Sequence, residues 1–329
     1  MKNNIAIITG GYSAESTISL KSAKTVYHHL NSDLYHSLIV YIEKNSWYIQ
    51  KNNKKYIINR EDFSVTIDNT RIYFDAVFMA LHGSPAENGK IQDYFDSLNI
   101  PYTCCNAKTS AITFNKYICN NKLKDLGFSC AESYIYTKKN KLNIDEIISK
   151  VGLPCFIKPN AAGSSFGISK INIKEEIEDA ITKALLHDNS VLIESFIDGM
   201  EVSCGVFDKY DSIQKDIIEV LPITEIVSKN EFFDYKAKYE GESEEVTPAR
   251  ISDKLTQNIQ DITKRVYQNM NLKGICRIDF IIMKGKPYII EINTIPGLSP
   301  ESIIPQQIKE AGYILGDFFA SCLEKSMNK

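Results

Sequence analysis

The chain predicts a mixed α/β and α+β fold in three consecutive units, and three observations carry that prediction. The first hundred residues alternate strand, glycine turn, helix and strand, the succession that builds a parallel sheet with crossovers. Strand and helix patterns over 132–187 flank the small-residue loop Ala161-Ala162-Gly163-Ser164-Ser165-Phe166-Gly167. Two β-branched, aromatic runs at 276–282 and 287–294 are joined by Met283-Lys284-Gly285-Lys286, a short Gly-containing connection of the kind that closes a hairpin. The expected units are 1–103, 104–190 and 191–329.

Element by element, residues 4–9 read as a buried strand ending at Gly10-Gly11, followed by helical periodicity from Ser13 to Leu30. Strand patterns follow at 36–42 and 72–79, and a helical one at 90–98. Ile100-Pro101 interrupts the pattern, and a helix over 109–126 is stopped by Gly127. The middle unit continues with strand 132–136, helix 143–151, strands 155–158 and 168–173, and an amphipathic helix over 174–187. The last unit opens with strand 191–197 and carries the hairpin. It closes with a helix in which Ile304, Ile308, Ala311, Leu315, Phe318 and Cys322 recur at a spacing of three to four residues.

Composition narrows the function classes. A formal charge of -3, from 38 basic and 41 acidic residues in 329, argues against nucleic acid as the main partner. The 8 cysteines are scattered without a C-x-x-C pair, so neither a zinc knuckle nor a redox dithiol is indicated; buried reduced thiols are expected. The N-terminal apolar run meets Gly10-Gly11 too early for a signal peptide, and no apolar run is long enough to cross a bilayer. A soluble, cytoplasmic protein is expected.

Chemistry is most concentrated in the hairpin. Alternation puts Arg277 and Asp279 on one strand face and Glu291 and Asn293 on the other strand's corresponding face. Folding symmetrically about Gly285 sets Asp279 opposite Glu291 and Arg277 opposite Asn293, while a one-residue slip or bulge staggers them. Facing carboxylates repel unless a cation or proton lies between them, and their hard oxygens suit Mg²⁺. A surface salt-bridge ladder has the same pattern.

Other motifs are individually ambiguous. The loop after Lys158-Pro159 offers backbone amides to a phosphate, or is a plain strand connection. Lys116 is a phosphate contact or a solvated helix lysine. Ser13 and Glu15 lie at a strand-to-helix junction that suits an anion site or simple capping. His82 ends an apolar strand, where open sheets bind ligands. The charged and aromatic segment 231–241 reads as a lid or as a partly buried loop.

Taken together and in order, these pieces resemble the D-alanine–D-alanine ligase family of the ATP-grasp superfamily over nearly the whole chain. The matching pieces are Gly10-Gly11-x-Ser13-x-Glu15 with Ser19-Leu20, His82-Gly83 with Glu87-x-Gly89, and Ile100-Pro101-Tyr102-Thr103. They continue through Asn115-Lys116, Lys158-Pro159, Gly163-Ser164-Ser165-x-Gly167, Asp234-Tyr235-x-Ala237-Lys238-Tyr239, Arg277-x-Asp279 and Glu291-x-Asn293-Thr294-x-Pro296-Gly297.

The resemblance implies an N-terminal Rossmann-like, pre-ATP-grasp domain followed by a two-part ATP-grasp fold. It implies ligation of two D-alanines for peptidoglycan precursors, through an acyl phosphate and a tetrahedral intermediate. ATP is the co-substrate, with two Mg²⁺ (or Mn²⁺) ions on Asp279, Glu291 and Asn293. Lys116, Lys158, Ser165 and Lys238 fall on nucleotide phosphates; Glu194, Ser195 and Ile197 on adenine; and Glu201 on the ribose. Glu15 and His82 fall on the first D-alanine, Ser302 and Ile303 on the second, Arg277 and Gly297 on the oxyanion. Glu15, Ser164 and Tyr239 form the triad that links lid to site. A homodimer is implied as well.

Ser16, Asn88, Ala161-Ala162, Cys104-Cys105 and Glu301 depart from the family pattern. The alternatives are a ligase joining D-alanine to D-lactate, against which Tyr239 argues, and an ATP-grasp ligase for another carboxylate and amine. A non-catalytic nucleotide-binding module would require losses among the metal ligands, and none is seen.

Overall fold

Three β-sheets with flanking helices make up the structure, a computed structural model that describes residues 2–13, 15–163, 167–211, 217–228 and 243–328. The first unit comprises β1 (Asn3–Gly10), α1 (Ser16–His29), β2 (Tyr35–Ile42), β3 (Trp47–Lys51), β4 (Lys54–Asn59), β5 (Ser64–Ile67), β6 (Thr70–Ile72), β7 (Ala76–Met79) and α2 (Lys90–Ser97). Its sheet runs β6-β5-β4-β3-β2-β1-β7. β1 pairs in parallel with both β2 and β7, as strand–helix–strand succession requires, while β3 to β6 add an antiparallel meander. That meander was not anticipated. Its turn residues Asn52-Asn53 and Asp68-Asn69 all adopt positive φ, the geometry of tight hairpins, which Asn and Asp tolerate.

The second unit contains α3 (Ala107–Phe114), α4 (Lys116–Asp125), β8 (Ser133–Thr137), α5 (Ile144–Val151), β9 (Cys155–Pro159), β10 (Ser169–Ile171), α6 (Ile177–Ala184) and β11 (Ser190–Ser195). The helix expected over 109–126 is two helices. Asn115, in extended backbone, accepts a bond from the Ile118 N–H at 3.0 Å and starts α4, so Lys116 becomes the first residue of a helix. The sheet order is β10-β9-β11-β8. Ile147, Ile157, Ile177, Ile181 and Ile193 fill a core between this sheet and helices α5 and α6.

The third unit contains β12 (Met200–Lys209), β13 (Ile217–Ser228), β14 (Ser243–Val246), α7 (Asp253–Asn269), β15 (Cys276–Met283), β16 (Lys286–Asn293), α8 (Ile303–Glu310) and α9 (Leu315–Met327). The sheet runs β14-β13-β12-β15-β16. The closing helix predicted from Ile304 onward is broken between α8 and α9 at Gly312, which has φ of +78°. Ile304, Ile308, Phe318 and Cys322 nonetheless share one core, joined by Ile5, Val26 and Phe78 of the first unit. All 8 cysteines are buried and free, in keeping with reduced thiols. Among the described residues no helix is long and apolar enough to cross a membrane.

Candidate active site

Side chains from all three units line a cleft of about 770 Å³. The β15–β16 hairpin forms one wall. Its turn spans two residues, Lys284 and Gly285, both at positive φ, so Met283 pairs with Lys286 and Phe280 with Ile289. A strict continuation would set Asp279 opposite Ile290 and turn Glu291 and Asn293 toward the core. Ile290 instead bulges out of register, and beyond it Asp279 faces Glu291 and Arg277 faces Asn293. The pairing expected from symmetry about Gly285 is therefore reached by a tight turn plus one extra residue. Phe280, Ile278 and Ile292 point to the core, while Arg277, Asp279, Glu291 and Asn293 line the cleft.

Each of these carboxylates is held by cations and donors. Asp279 accepts from Arg277 through Nε and Nη2, both at 2.8 Å, and from Asn293 at 2.8 Å and Ser203 at 2.5 Å. Glu291 pairs with the Lys116 ammonium at 2.7 Å, and that ammonium also donates to the Ala162 carbonyl at 3.0 Å. Burial pulls the Lys116 pKa down, but the charge and hydrogen bond of Glu291 outweigh it, so the ammonium is held above its ordinary value. Lys158 forms a buried ion pair with Glu194, which also accepts from Asn120 at 2.6 Å. The two cleft lysines, Lys116 and Lys158, are thus each neutralised by an acidic partner, Glu291 and Glu194.

One end of the cleft is apolar, with Phe156, Ile168, Phe196, Ile197 and Ile281, and Glu201 lies beside it. The Ser195 N–H donates to the Glu132 carbonyl and its hydroxyl to the Val151 carbonyl. The segment that follows β11 therefore reaches the cleft through Phe196 and Ile197, while Ser195 and Glu194, at the end of the strand, are not part of the lining.

Glu15, which also lines the cleft, is buried at the N-cap of α1 and accepts from Ser13 Oγ at 3.3 Å. Two glycines close over it. A Cβ on Gly83 would lie 2.5 Å from Glu15 Oε2, and one on Gly163 would lie 2.8 Å from the same atom. His82 links the first unit to the loop after β16. Ser22 Oγ accepts from the Leu298 N–H at 3.0 Å, so its own proton goes to His82 Nε2 at 2.9 Å, and His82 Nδ1 donates to the Ile295 carbonyl at 2.8 Å. Burial holds its pKa below the ordinary value against the pull of Glu15, in keeping with a neutral ring. With both nitrogens engaged, His82 positions the Ile295–Leu298 loop. Gly297 and Ser302 meet in that region, where a Cβ on Gly297 would stand 2.7 Å from Ser302 Oγ. Ile303 begins α8 beside them.

Comparison with known proteins then decides the relationship. The family described as D-ala D-ala ligase N-terminus matches residues 4–105, and the one described as D-ala D-ala ligase C-terminus matches residues 123–324. The chain belongs to the D-alanine–D-alanine ligase family. A D-alanine–D-alanine ligase of Flavobacterium johnsoniae is 50% identical over 325 residues, covering 98% of this chain and 99% of the relative. One from Christiangramia forsetii is 45% identical over the full length of both. Among solved structures, the VanG D-Ala:D-Ser ligase of Enterococcus faecalis has a TM-score of 0.87 at 29% identity, covering 99% of this chain and 100% of that one. The D-alanine–D-alanine ligase of Bacillus anthracis complexed with ATP has a TM-score of 0.79 at 26% identity, covering 100% and 98%.

Seen as a member of the D-alanine–D-alanine ligase family, the hairpin wall has the donor set for a hard divalent ion. Asp279, Glu291 and Asn293 supply carboxylate and amide oxygens to one face, and cationic side chains already balance the two carboxylates. Four cleft carboxylates among the described residues, Glu87, Asp198, Glu245 and Glu301, received no role from sequence reasoning, and two of them bear on the electrostatics of the site. Glu87 sits within the charge field of Glu15, Glu291 and Lys116. Its signal in the sequence was the Glu87-x-Gly89 motif itself. Glu245 of β14 lines the cleft near Arg277, with no distinguishing pattern in the sequence. Ser164, Ser165, Lys238 and Tyr239 lie outside the described residues.

Proposed function

We propose that this protein is an ATP-dependent ligase that joins two D-alanine molecules into D-alanyl-D-alanine for peptidoglycan precursor synthesis, releasing ADP and phosphate. The observation that carries this reading is the single cleft in which Glu15, the Lys116–Glu291 pair, Arg277 and the Asp279–Asn293 wall converge. Its three domains follow the expected units 1–103, 104–190 and 191–329, with the second boundary moved beyond β11, which pairs with β8 and β9 of the middle sheet. Glu15 receives the first substrate's ammonium, and His82, within the cleft lining, holds the Ile295–Leu298 loop. Lys116 and Lys158 contact phosphates, the apolar slot at Phe196 and Ile197 takes the adenine, and Glu201 the ribose. Asp279, Glu291 and Asn293 would hold Mg²⁺ or Mn²⁺, which neutralises charge on the transferred phosphoryl group.

The first carboxylate attacks the γ-phosphate to form an acyl phosphate, and the second amine then attacks that carbonyl and displaces phosphate. No covalent enzyme intermediate is required, so catalysis is positioning and charge stabilisation. Arg277 and the Gly297 N–H serve the developing oxyanion, each such donor being worth about 3–4 kcal/mol of barrier. The start of α8 at Ser302 and Ile303 receives the second carboxylate. The protein works in the cytoplasm as a homodimer, a reading that rests on family resemblance.

ADP release with D-alanine against L-alanine, with and without Mg²⁺, tests the assignment. Release only with the D-isomer and the metal, together with recovery of the dipeptide, is the expected result. Equal rates with both isomers, or mainly ester from mixed D-alanine and D-lactate near neutral pH, would overturn it.

A further inference from the structure

Glu245 is a cleft carboxylate for which the proposed reaction has no use, and among the described residues no cation is hydrogen-bonded to it. It lies on the edge strand β14, opposite Ile226 of β13, and lines the cleft. The next buried carboxylate of this sheet, Glu225, shows how such a group is ordinarily satisfied. Arg250 donates to both of its oxygens, at 2.8 and 2.9 Å, and that hydrogen bonding holds its pKa low. Glu245 has a neutral amide instead: among the described residues its hydrogen-bond partner is Gln306, whose Nε2 lies 2.7 Å from Oε2. The cation whose charge reaches it, Arg277, already spends two donors on Asp279. Burial accordingly pushes the Glu245 pKa up, against those two opposing influences.

Position says which cation fits. The same Gln306 Nε2 donates to the Glu301 carbonyl at 3.0 Å, so a single side-chain amide fixes Glu245 beside the Glu301–Ser302 turn. That turn is where the second amino acid's carboxylate is placed in the reading above. In an α-amino acid, ammonium and carboxylate are separated by one carbon, so neighbouring protein groups must read both.

We propose that Glu245 receives the α-ammonium of the second, accepting amino acid and thereby favours an amine over a hydroxy acid at that position. This rests on the ligase reading of the site. A hydroxy acid brings no positive charge, so its binding leaves the half-buried carboxylate uncompensated.

Initial-rate kinetics over D-alanine, which yield separate constants for the first and second sites, test the proposal with Glu245→Gln and Glu245→Asp. The amide variant is expected to raise the second-site KM about 10- to 100-fold, the loss associated with one charge-assisted bond, and to leave the first-site KM within about twofold. The Asp variant should recover part of that loss, and in D-alanine/D-lactate mixtures the amide variant should give a larger ester share than the parent. An unchanged second-site KM, equal rises at both sites, or an unaltered ester share would overturn the assignment. ATP-dependent dipeptide formation by the parent protein is measured alongside: if it is absent, the ligase reading itself fails, whereas its presence with an unaffected Glu245→Gln variant sinks this inference alone.

Discussion

At Glu291 one carboxylate serves two purposes that substitution can separate. Its pairing opposite Asp279 and its ion pair with Lys116 belong to the resting structure, while its oxygens complete the proposed metal wall. Glu291→Gln keeps the shape and one acceptor oxygen but removes the charge. Turnover is expected to fall by at least about a hundredfold with a far-ultraviolet circular dichroism spectrum like the parent's, and near-normal activity would discredit the metal assignment. Glu87 offers a pH test. Burial, then the charges of Glu15 and Glu291, push its pKa up to about 8, against the Gly83 N–H and Lys116. The folded protein therefore retains a proton that the unfolded chain releases near 4.5. This contribution to stability is intact below pH 4.5 and is lost as pH rises to about 8. Glu87→Gln is neutral throughout, so its melting temperature relative to the parent should climb across that window. Parallel pH–melting curves for the two proteins would contradict the shift.

Among the elements, α4 shows how a local rule builds a site. Asn115 ends α3, caps α4 and thereby sets Lys116 at the head of a helix, where its backbone N–H meets the Asn160 carbonyl at 3.1 Å and its side chain meets Glu291. Asn115→Ala removes the acceptor for the Ile118 N–H. It should cost about 1 kcal/mol in urea unfolding and raise the KM for ATP, with Asn115→Asp restoring both. A stability loss without any change in KM would mean that the cap does not position Lys116. The capping pair was visible in the sequence, yet apolar spacing alone ran α3 and α4 together, because periodicity does not register a single residue leaving helical backbone. Gly312 hid the break between α8 and α9 in the same way. The strands 47–72 were missed although Asn52-Asn53 and Asp68-Asn69 are hairpin signals, since their flanking runs are short and rich in lysine and asparagine. The hairpin chemistry was legible because alternation fixes faces. What no pattern disclosed was the bulge at Ile290 that turns Glu291 and Asn293 back to the cleft.

For the whole molecule, the cleft stays assembled because its first and last segments share a core. Ile5, Ile7, Val26 and Phe78 of the N-terminal unit are buried together with Ile304, Ile308, Phe318 and Phe319 of the closing helices. Phe319 is fully buried, its ring 5.5 Å from that of Phe78 at 83° and 6.4 Å from that of His29, edge-to-face arrangements that add to area burial. Such contacts between residues some 240 positions apart are outside the reach of a periodicity argument, which shows that α9 has an apolar face but not what covers it. The union also sets Glu15 and His82 against the hairpin wall, so it bears on catalysis as well as on stability. Phe319→Ala should cost about 3–5 kcal/mol and move one cooperative urea transition to lower concentration, with fluorescence of Trp47 in the first unit and circular dichroism of the whole chain shifting together. A variant in which the Trp47 signal keeps its midpoint while the circular dichroism splits into two steps would show that the terminal units fold independently, and that the cleft is not secured through this core.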